Sequence, residues 1–230
     1  MRTGPEAPRE HRIRHVVWDW NGTLLDDNHV MLASVNDVCA HFGRPAVDMR
    51  TWRAALRRPL WLCYGTILDR DVSAPEDWAE VVRLYRAAYR GRLGECRLAA
   101  DAEKTMTRVR DAGLTQSVLS MALHEDVTSL ATRFGVHAYV ERIDGVLPEA
   151  AGGHKAGHLA AHLGQLGLEP DECLLVGDVD DDAAAAEQVG THCVLVTTGM
   201  TSADELRTTG RPVVGSLAEA FTFASAAASS

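Results

Sequence analysis

The second half of the chain alternates short apolar runs with longer amphipathic segments, and this alternation limits the fold more than any other feature. Strands are predicted at 114–120, 172–177 and 192–197, with helices before and between them that end at Gly113, Gly135 and Gly190. Short apolar runs are typical of buried parallel strands, and their alternation with helices indicates a parallel sheet covered on both faces. We therefore predict an α/β fold with a doubly wound parallel sheet.

The remaining segments complete this pattern. The sequence predicts a strand at 13–18, an extended piece at 138–140, a small strand at 212–214, and helices at 101–112, 124–134, 156–166, 183–189, 203–208 and 217–223. No strand is evident between residues 26 and about 92, where apolar side chains instead recur at helical spacing at 31–42, 49–58, 59–68 and from 75 onward. A helical insertion is therefore expected after the first strand.

The composition restricts the class of protein and its partners. A chain of 230 residues that is 46% hydrophobic allows one large domain, or one domain with a smaller insert. Its net charge of −9 disfavours nucleic acid and anionic membranes as partners. The five cysteines are odd in number and have no CxxC spacing, and residues 1–12 have no apolar signal sequence. We expect a cytoplasmic protein with reduced thiols and no zinc site.

Four polar positions follow or close predicted strands, or stand just before a helix. Asp19 follows the first strand, Ser120 closes the strand at 114–120, Lys155 precedes a helix, and Asp178 follows a strand with three more aspartates at 180–182. In a doubly wound sheet the carboxyl ends of the strands meet at one crevice. A carboxylate, a hydroxyl, an ammonium and an acidic cluster are therefore expected to converge there.

This set of groups suits phosphoryl transfer. Asp19 and Asp178 supply the oxygen ligands that Mg²⁺ prefers, and the cation offsets the repulsion between a carboxylate and a phosphate. Ser120 and Lys155 can hold the remaining phosphate oxygens. Each position also has a simpler interpretation: Ser120 as a turn or N-cap residue, Lys155 as a solvated charge, and residues 178–182 as a helix N-terminus. The order of the four positions favours the functional interpretation.

These residues resemble the motifs of the haloacid dehalogenase superfamily. Residues 19–23, DWNGT, resemble its first motif, DxDGT; Ser120 and Lys155 match the second and third by position; and Gly177-Asp178 with Asp182 resembles the fourth, GDxxxD. The chain is most similar to the C1-capped, phosphoglycolate phosphatase-like branch. The resemblance implies a Rossmann-like core at 13–25 and 97–224, an inserted helical cap at 26–96, and flexible tails at 1–12 and 225–230.

The resemblance also implies a Mg²⁺ ion, an aspartyl-phosphate intermediate and a small phosphorylated metabolite as substrate. Asp19 would be the nucleophile, with Asn21, Ser120 and Lys155 as the other catalytic positions. The implied metal ligands are Asp19, Asn21 through its backbone carbonyl, Asp178 and Asp182. The implied phosphate-binding or substrate-binding positions in the core are Thr23, Ser120 and Lys155.

Asn21 departs from the family pattern. Phosphatases of this family have a second aspartate at that position, which protonates the leaving group and later activates water. An amide cannot carry that proton, and general acid–base catalysis contributes roughly 10²–10⁴-fold. We therefore predict a slow phosphatase, or one restricted to good leaving groups such as acyl or aryl phosphates, unless His29 or a cap residue supplies the proton.

The cap is expected to select the substrate. Its candidate substrate-binding residues are Arg53, Arg57, Arg58, Trp61 and Tyr64, whose arginines would bind a second anionic group. A solvated helix face is the alternative for the arginines, and Trp78, Val81 and Tyr85 are most simply packing residues within the cap. Two other functions stay open: a non-catalytic phospholigand-binding or regulatory protein, and a dehalogenase-like hydrolase of another bond.

Overall fold

The computed structural model describes residues 13–57, 59–147 and 154–227. Its strands are β1 (His15–Trp18), β2 (Leu25–Asp26), β3 (Arg97–Leu98), β4 (Thr115–Leu123), β5 (Arg142–Val146), β6 (Cys173–Gly177), β7 (His192–Val196) and β8 (Val213–Val214). Its helices are α1 (Asn28–His41), α2 (Met49–Ala55), α3 (Leu60–Leu68), α4 (Pro75–Gly91), α5 (Ala102–Asp111), α6 (His124–Arg133), α7 (Lys155–Leu166), α8 (Asp180–Val189), α9 (Ala203–Thr208) and α10 (Leu217–Ala227).

Six of the strands form one sheet in the order β5-β4-β1-β6-β7-β8, and all its neighbouring strands are parallel. The chain adds β4 and β5 on one side of β1 and then crosses to the other side for β6, β7 and β8. The strand order therefore reverses beside β1. In open α/β sheets, ligands bind at such a reversal, beyond the carboxyl ends of the strands.

Helices cover both faces of this sheet, because successive side chains of a strand point to opposite faces. Val16 and Trp18 of β1 pack in a core that α5, α6 and α10 complete, whereas Val17 packs in a core completed by α7, α8 and α9. The α/β, Rossmann-like, doubly wound fold predicted from the sequence is confirmed.

The helical insertion has a core of its own. Buried residues from α1, α2, α3 and α4 form a third apolar cluster, which includes Val35, Trp52, Tyr64 and Val81. The short strands β2 and β3 pair antiparallel where the chain leaves and re-enters the sheet domain. We propose this two-stranded ribbon as the boundary between the core domain and the cap, which we define as residues 26–96.

Several local predictions were wrong. The extended piece expected at 138–140 is instead a 3₁₀ turn over Val136–Ala138, and the strand comes later, as β5. The hydrophobic pattern did not indicate β5, because this edge strand is only partly buried and mixes Arg142 and Asp144 with its apolar residues. Helix α10 continues to Ala227, past the predicted start of the tail at 225, while residues 1–12 lie outside the described ranges.

Two further features concern the cysteines and the length of the helices. All five cysteines are buried and free of disulfides. None of the helices in the described ranges combines the length and apolarity needed to cross a membrane.

Candidate active site

Asp19 lies at the reversal point of the sheet. Its backbone N–H donates to the Val176 carbonyl at 2.8 Å, which fixes the residue between β1 and β6, and the residue is only 8% exposed. The chain then turns at Gly22, where φ is +74°. A Cβ atom at Gly22 would lie 2.7 Å from an Asp178 carboxylate oxygen, so both the conformation and the space at this turn require glycine.

Lys155 reaches the same point from the first turn of α7. Its Nζ donates to Oδ1 of Asp19 and to Oδ1 of Asp182, and the residue is almost fully buried. Such a buried ammonium requires paired carboxylates, because an uncompensated charge in the interior is costly. Lys155 is therefore held by one carboxylate that follows β1 and one in the first turn of α8.

Asp178 and Asp182 are fixed by the backbone around them. The Asp178 carboxylate accepts hydrogen bonds from the Thr23 hydroxyl at 3.3 Å and the Met200 N–H at 3.0 Å. The Asp182 carboxylate accepts from the N–H groups of Asp178 at 3.0 Å and Val179 at 3.1 Å. Thr23, expected to bind substrate, thus donates to a predicted metal ligand.

We refer to Asp19, Lys155, Asp178 and Asp182 as the carboxylate cluster. Carboxylate oxygens of the three aspartates lie within 4.8 Å of one another. Burial raises the pKa of Asp19 to about 7, although Lys155 opposes the shift. Burial, followed by repulsion from Asp19 and Asp182, also raises the pKa of Asp178. Burial alone would lower the pKa of Lys155, but the two neighbouring carboxylates outweigh it and raise that pKa.

This cluster fits a divalent cation. Three carboxyl groups share a single ammonium, so the cluster has fewer cationic than acidic groups. Mg²⁺ binds preferentially to oxygen ligands, often through one or two carboxylates. Asp19, Asp178 and Asp182 are therefore the side chains that could hold it, as the sequence predicted, and Asn21 lies in the adjoining turn.

Ser120 and Asn21 contact each other beside the cluster. The Ser120 hydroxyl donates to Oδ1 of Asn21 at 3.4 Å and accepts from the Ala122 N–H at 3.0 Å. The prediction that Ser120 closes its strand is wrong, because β4 continues to Leu123. The pairing register between β4 and β5 nevertheless shifts between Leu119 and Leu123. This irregularity leaves Ser120 among the residues that line the central cavity.

Two residues of the site escaped the sequence analysis. The Asn21 amide donates to the Asp27 carboxylate at 2.7 Å and to the Tyr89 hydroxyl at 2.9 Å, while the Tyr89 hydroxyl donates to Asp27 at 2.6 Å. Asp27 is buried, which raises its pKa, and it also accepts from the Gly22 N–H at 3.0 Å. Asp27 could have been found as an acidic residue just after the first motif. Tyr89 could not be distinguished from the other residues in the apolar stripe of α4.

Most of the predicted cap residues lie elsewhere. The Arg53 guanidinium donates to the carbonyls of Gly199 and Met200 at 2.6 and 3.1 Å, so it joins the cap to a core loop. Arg57 donates to the Thr66 hydroxyl at 2.5 Å, and Trp61 packs against the core of the cap. None of these three is among the cavity-lining residues, whereas Tyr64 is. Arg58 lies outside the described residues.

His29 was considered as a replacement proton source. It is exposed, its ring contacts the Glu95 carbonyl at 3.2 Å, and it is not among the residues that line the cavity. Its position therefore does not support that role.

A cavity of about 610 Å³ extends from Asp19 to the cap. Besides the residues of the site, it is lined by aromatic and aliphatic side chains of both domains, among them Trp52, Tyr64, Trp78, Tyr85, Leu123 and Val127. Trp78, Val81 and Tyr85 pack in the cap as expected, and all three also line the cavity. Large apolar residues at helical spacing can line a cavity and support a core at once, and the sequence pattern does not separate the two.

Comparison with known proteins finds similar sequences and structures over most of the chain. Phosphoglycolate phosphatase 1 of Pseudomonas aeruginosa is 26% identical over 196 residues, which cover 81% of this chain and 70% of that protein. The tyrosine-protein kinase PtkA of Mycobacterium tuberculosis is 26% identical over 200 residues, covering 86% and 67% respectively. A haloacid dehalogenase-like family hydrolase of known structure from Streptococcus pneumoniae superposes with a TM-score of 0.79 at 20% identity, over 92% of this chain and 98% of that one.

The family itself follows from a match to most of the chain. Residues 13–190 match the family model described as haloacid dehalogenase-like hydrolase. That range contains β1, the cap and the whole carboxylate cluster. The chain therefore belongs to the haloacid dehalogenase-like hydrolase family, and it is an enzyme of that family.

Proposed function

We propose that the protein is a Mg²⁺-dependent phosphatase that hydrolyses a small phosphorylated metabolite through an aspartyl-phosphate on Asp19. The observation that carries the proposal is the convergence of Asp19, Lys155 and Asp178, from distant parts of the chain, on the wall of one cavity, with Asp182 bonded to Lys155 directly behind it. A similar protein named phosphoglycolate phosphatase supports phosphate ester hydrolysis as the reaction class.

In this mechanism an Asp19 oxygen attacks phosphorus while the bond to the ester oxygen breaks, and water then cleaves the aspartyl-phosphate. Asp19 must be ionised to attack, and the ammonium of Lys155 favours that form. A bound Mg²⁺ would be held by Asp19 and Asp178, with Asp182 nearby, and would neutralise charge on the phosphate oxygens. Ser120 and Lys155 would hold the phosphoryl group in this mechanism.

The proposal predicts a limited proton supply for the leaving group. The amide of Asn21 carries no transferable proton, and its N–H donors are already directed to Asp27 and Tyr89. The phosphatase should therefore be slow on alkyl phosphates and faster on esters whose leaving group departs as a stable anion.

The test is turnover of p-nitrophenyl phosphate with Mg²⁺ and after removal of metal with EDTA. We expect turnover that EDTA abolishes and added Mg²⁺ restores. Asp178→Asn should lower it by at least about 10²-fold, because one of the charge-stabilising ligands is lost. Asp180→Asn is the matched control, since Asp180 belongs to the same acidic run but is exposed and does not line the cavity. Turnover that persists in EDTA contradicts the proposal.

A second candidate is a phospholigand-binding protein that does not catalyse hydrolysis, and Asn21 is the observation that favours it. Beryllium fluoride separates the two, since it forms an aspartyl-phosphate mimic only on a reactive aspartate. Failure to form that adduct, combined with tight binding of inorganic phosphate, would favour the binding protein.

A further inference from the structure

The central cavity is much larger than a phosphoryl group needs. Its 610 Å³ corresponds to about 20 water molecules at roughly 30 Å³ each. The space is continuous from Asp19 to the inner surface of the cap, so it is the natural location for the leaving group of a bound phosphate ester. A substrate as small as a two-carbon phosphate would leave most of this space to water.

The walls beyond the phosphoryl end are aromatic and aliphatic. On the cap side, Tyr64 makes edge-to-face contacts with Trp52 and Trp78, with ring centroids 5.7 Å apart in each pair. On the core side, Leu123 and Val127 face the same space. Such a surface favours an apolar guest with flat rings, because aromatic groups gain both apolar burial and ring contacts.

The cations of the cavity wall give little support to a small substrate with a second anionic group. Lys155 is bound to Asp19 and Asp182, and Arg90 forms ion pairs with Glu125 and Asp126. Arg86 is the lining cation for which no acidic partner is found among the described residues, and it is exposed, where solvent weakens its attraction for an anion.

The chemistry at Asn21 independently indicates the same kind of leaving group. Without a proton from residue 21, the ester oxygen must depart as an anion. Phenols ionise near pH 10, as the tyrosine side chain does. A phenolate is therefore a far better anionic leaving group than an alkoxide.

We propose that the substrates are aryl phosphates, that is, phosphate monoesters whose leaving group is a bulky aromatic alcohol held in this cavity. The inference rests on the proposed phosphatase function and assigns the substrate class of the same site. An Asp19 oxygen forms the bond to phosphorus, the bond from phosphorus to the aryl oxygen breaks, and the phenolate takes a proton from water. A second water then cleaves the aspartyl-phosphate to give inorganic phosphate.

The first experiment compares kcat and KM of the Mg²⁺-loaded full-length enzyme for phenyl, 4-butylphenyl and 2-naphthyl phosphate, whose phenols have similar acidity. Acetyl phosphate controls for a good leaving group without an apolar body, and phosphoglycolate for a small substrate with a carboxylate. We expect KM to fall by up to about fourfold for each methylene buried, and kcat/KM for phosphoglycolate to be at least about 100-fold below that for 2-naphthyl phosphate. A KM that does not change along the series, or a preference for phosphoglycolate, overturns the inference.

The second experiment changes the wall. Val82→Asn places an amide on the cavity surface of α4, while Ala87→Asn places the same amide on the exposed side of that helix, outside the lining. We expect Val82→Asn to raise KM for 4-butylphenyl phosphate at least tenfold more than KM for acetyl phosphate, and Ala87→Asn to change neither. Equal effects of the two variants overturn the inference. The series on the unaltered enzyme decides the matter if Val82→Asn does not fold.

These measurements separate the two proposals. If every ester is hydrolysed with a similar KM, the substrate class is wrong and the phosphatase function stands. If no ester is hydrolysed under any metal condition, the phosphatase function is wrong and the substrate class falls with it.

Discussion

Two buried polar clusters lie on the same sheet, and they differ in how well their charges are matched. The carboxylate cluster sits beyond the carboxyl ends of β1 and β6 and sets three carboxylates against one ammonium. The other cluster, which we call the histidine network, lies within the sheet domain and consists of His15, Ser117, His162 and Asp144.

Each group of the histidine network has a partner. His162 bonds Asp144 and Ser117 at 2.7 Å each, and His15 bonds Ser117 at 2.8 Å and Thr115 at 2.6 Å. One assignment with neutral rings satisfies all of them: His162 donates to Asp144 and accepts from Ser117, and His15 donates to Ser117 and accepts from Thr115.

The difference teaches which cluster has a structural role and which a chemical one. An Asp–His–Ser arrangement at hydrogen-bond distance resembles the catalytic groups of a serine hydrolase, but Ser117 is fully buried and does not line the cavity. A satisfied network without access for a ligand stabilises the fold. A cluster that lines a cavity and has fewer cationic than acidic groups is instead a candidate site for a ligand of opposite charge.

The largest effect should come from replacing one aspartate of each cluster with asparagine. We expect Asp19→Asn to lower phosphatase turnover by at least about 10³-fold, because the nucleophile is lost. Its stability should be unchanged or raised, since burial already disfavours the ionised form of Asp19. Asp144→Asn should keep the activity but lose about 1–3 kcal/mol of unfolding free energy, since Arg142 and His162 lose a charged partner. Turnover and urea unfolding are measured for both variants.

If Asp144→Asn folds but loses turnover, the carboxylate cluster is not the only cluster with a chemical role, and the structural role assigned to the histidine network is contradicted. The histidine network would then have to be part of the catalytic machinery.

The next effect concerns Asn21. In Asn21→Asp, a carboxyl group stands about where the amide now lies, 2.7 Å from the Asp27 carboxylate. Two carboxyl groups this close retain a proton between them, which raises the pKa of the pair and makes that proton available to a leaving group. We expect kcat on an alkyl phosphate to rise by about 10²–10⁴-fold, and kcat on an aryl phosphate to change much less. A sharp fall of kcat on both substrates would show that the missing acid does not limit the enzyme.

The histidine network should make the fold sensitive to acid. Burial, and then the nearby His162, lowers the pKa of His15 from 6.5 to about 4. The unfolded chain therefore binds a proton that the folded chain excludes, and stability is lost as the pH falls from about 6.5 to 4. The two pKa values correspond to about 3 kcal/mol.

His15→Gln isolates this contribution. The variant should be less stable than the unaltered protein at pH 7, and the difference in unfolding free energy should shrink by about 3 kcal/mol between pH 7 and pH 4. Urea titrations at several pH values measure it. A difference that does not depend on pH would mean that folding leaves the pKa of His15 unchanged.

The contrast between the clusters also explains what the sequence could predict. Asp19, Lys155 and Asp178 were predicted because each stands beside an apolar run or a helix start, and the topology of a parallel sheet then brings them together. Arg53 was misplaced because charge on a helix face does not reveal which surface it meets, and here it meets the carbonyls of Gly199 and Met200.

Long-range pairing is the information that the pattern lacks. The bond between Asp27 and Tyr89 joins residues 62 positions apart, near the two ends of the cap segment. No local periodicity encodes it, and the same holds for the histidine network, whose members come from four elements.

The smallest effect should come from the hydrogen bonds that join Asn21, Asp27 and Tyr89 in the active site. Tyr89→Phe removes the hydroxyl that donates to Asp27 and accepts from Asn21, so we expect a loss of about 1 kcal/mol in unfolding free energy and a several-fold fall in kcat. Tyr85→Phe is the matched control, because its ring stacks on Tyr89 at 5.9 Å but its hydroxyl has no hydrogen bond among the described residues. Kinetics and urea unfolding of both variants decide the point. If Tyr85→Phe lowers the unfolding free energy and kcat as much as Tyr89→Phe does, the hydrogen bond from the cap does not position Asn21. The cap then contributes to this part of the site only by packing.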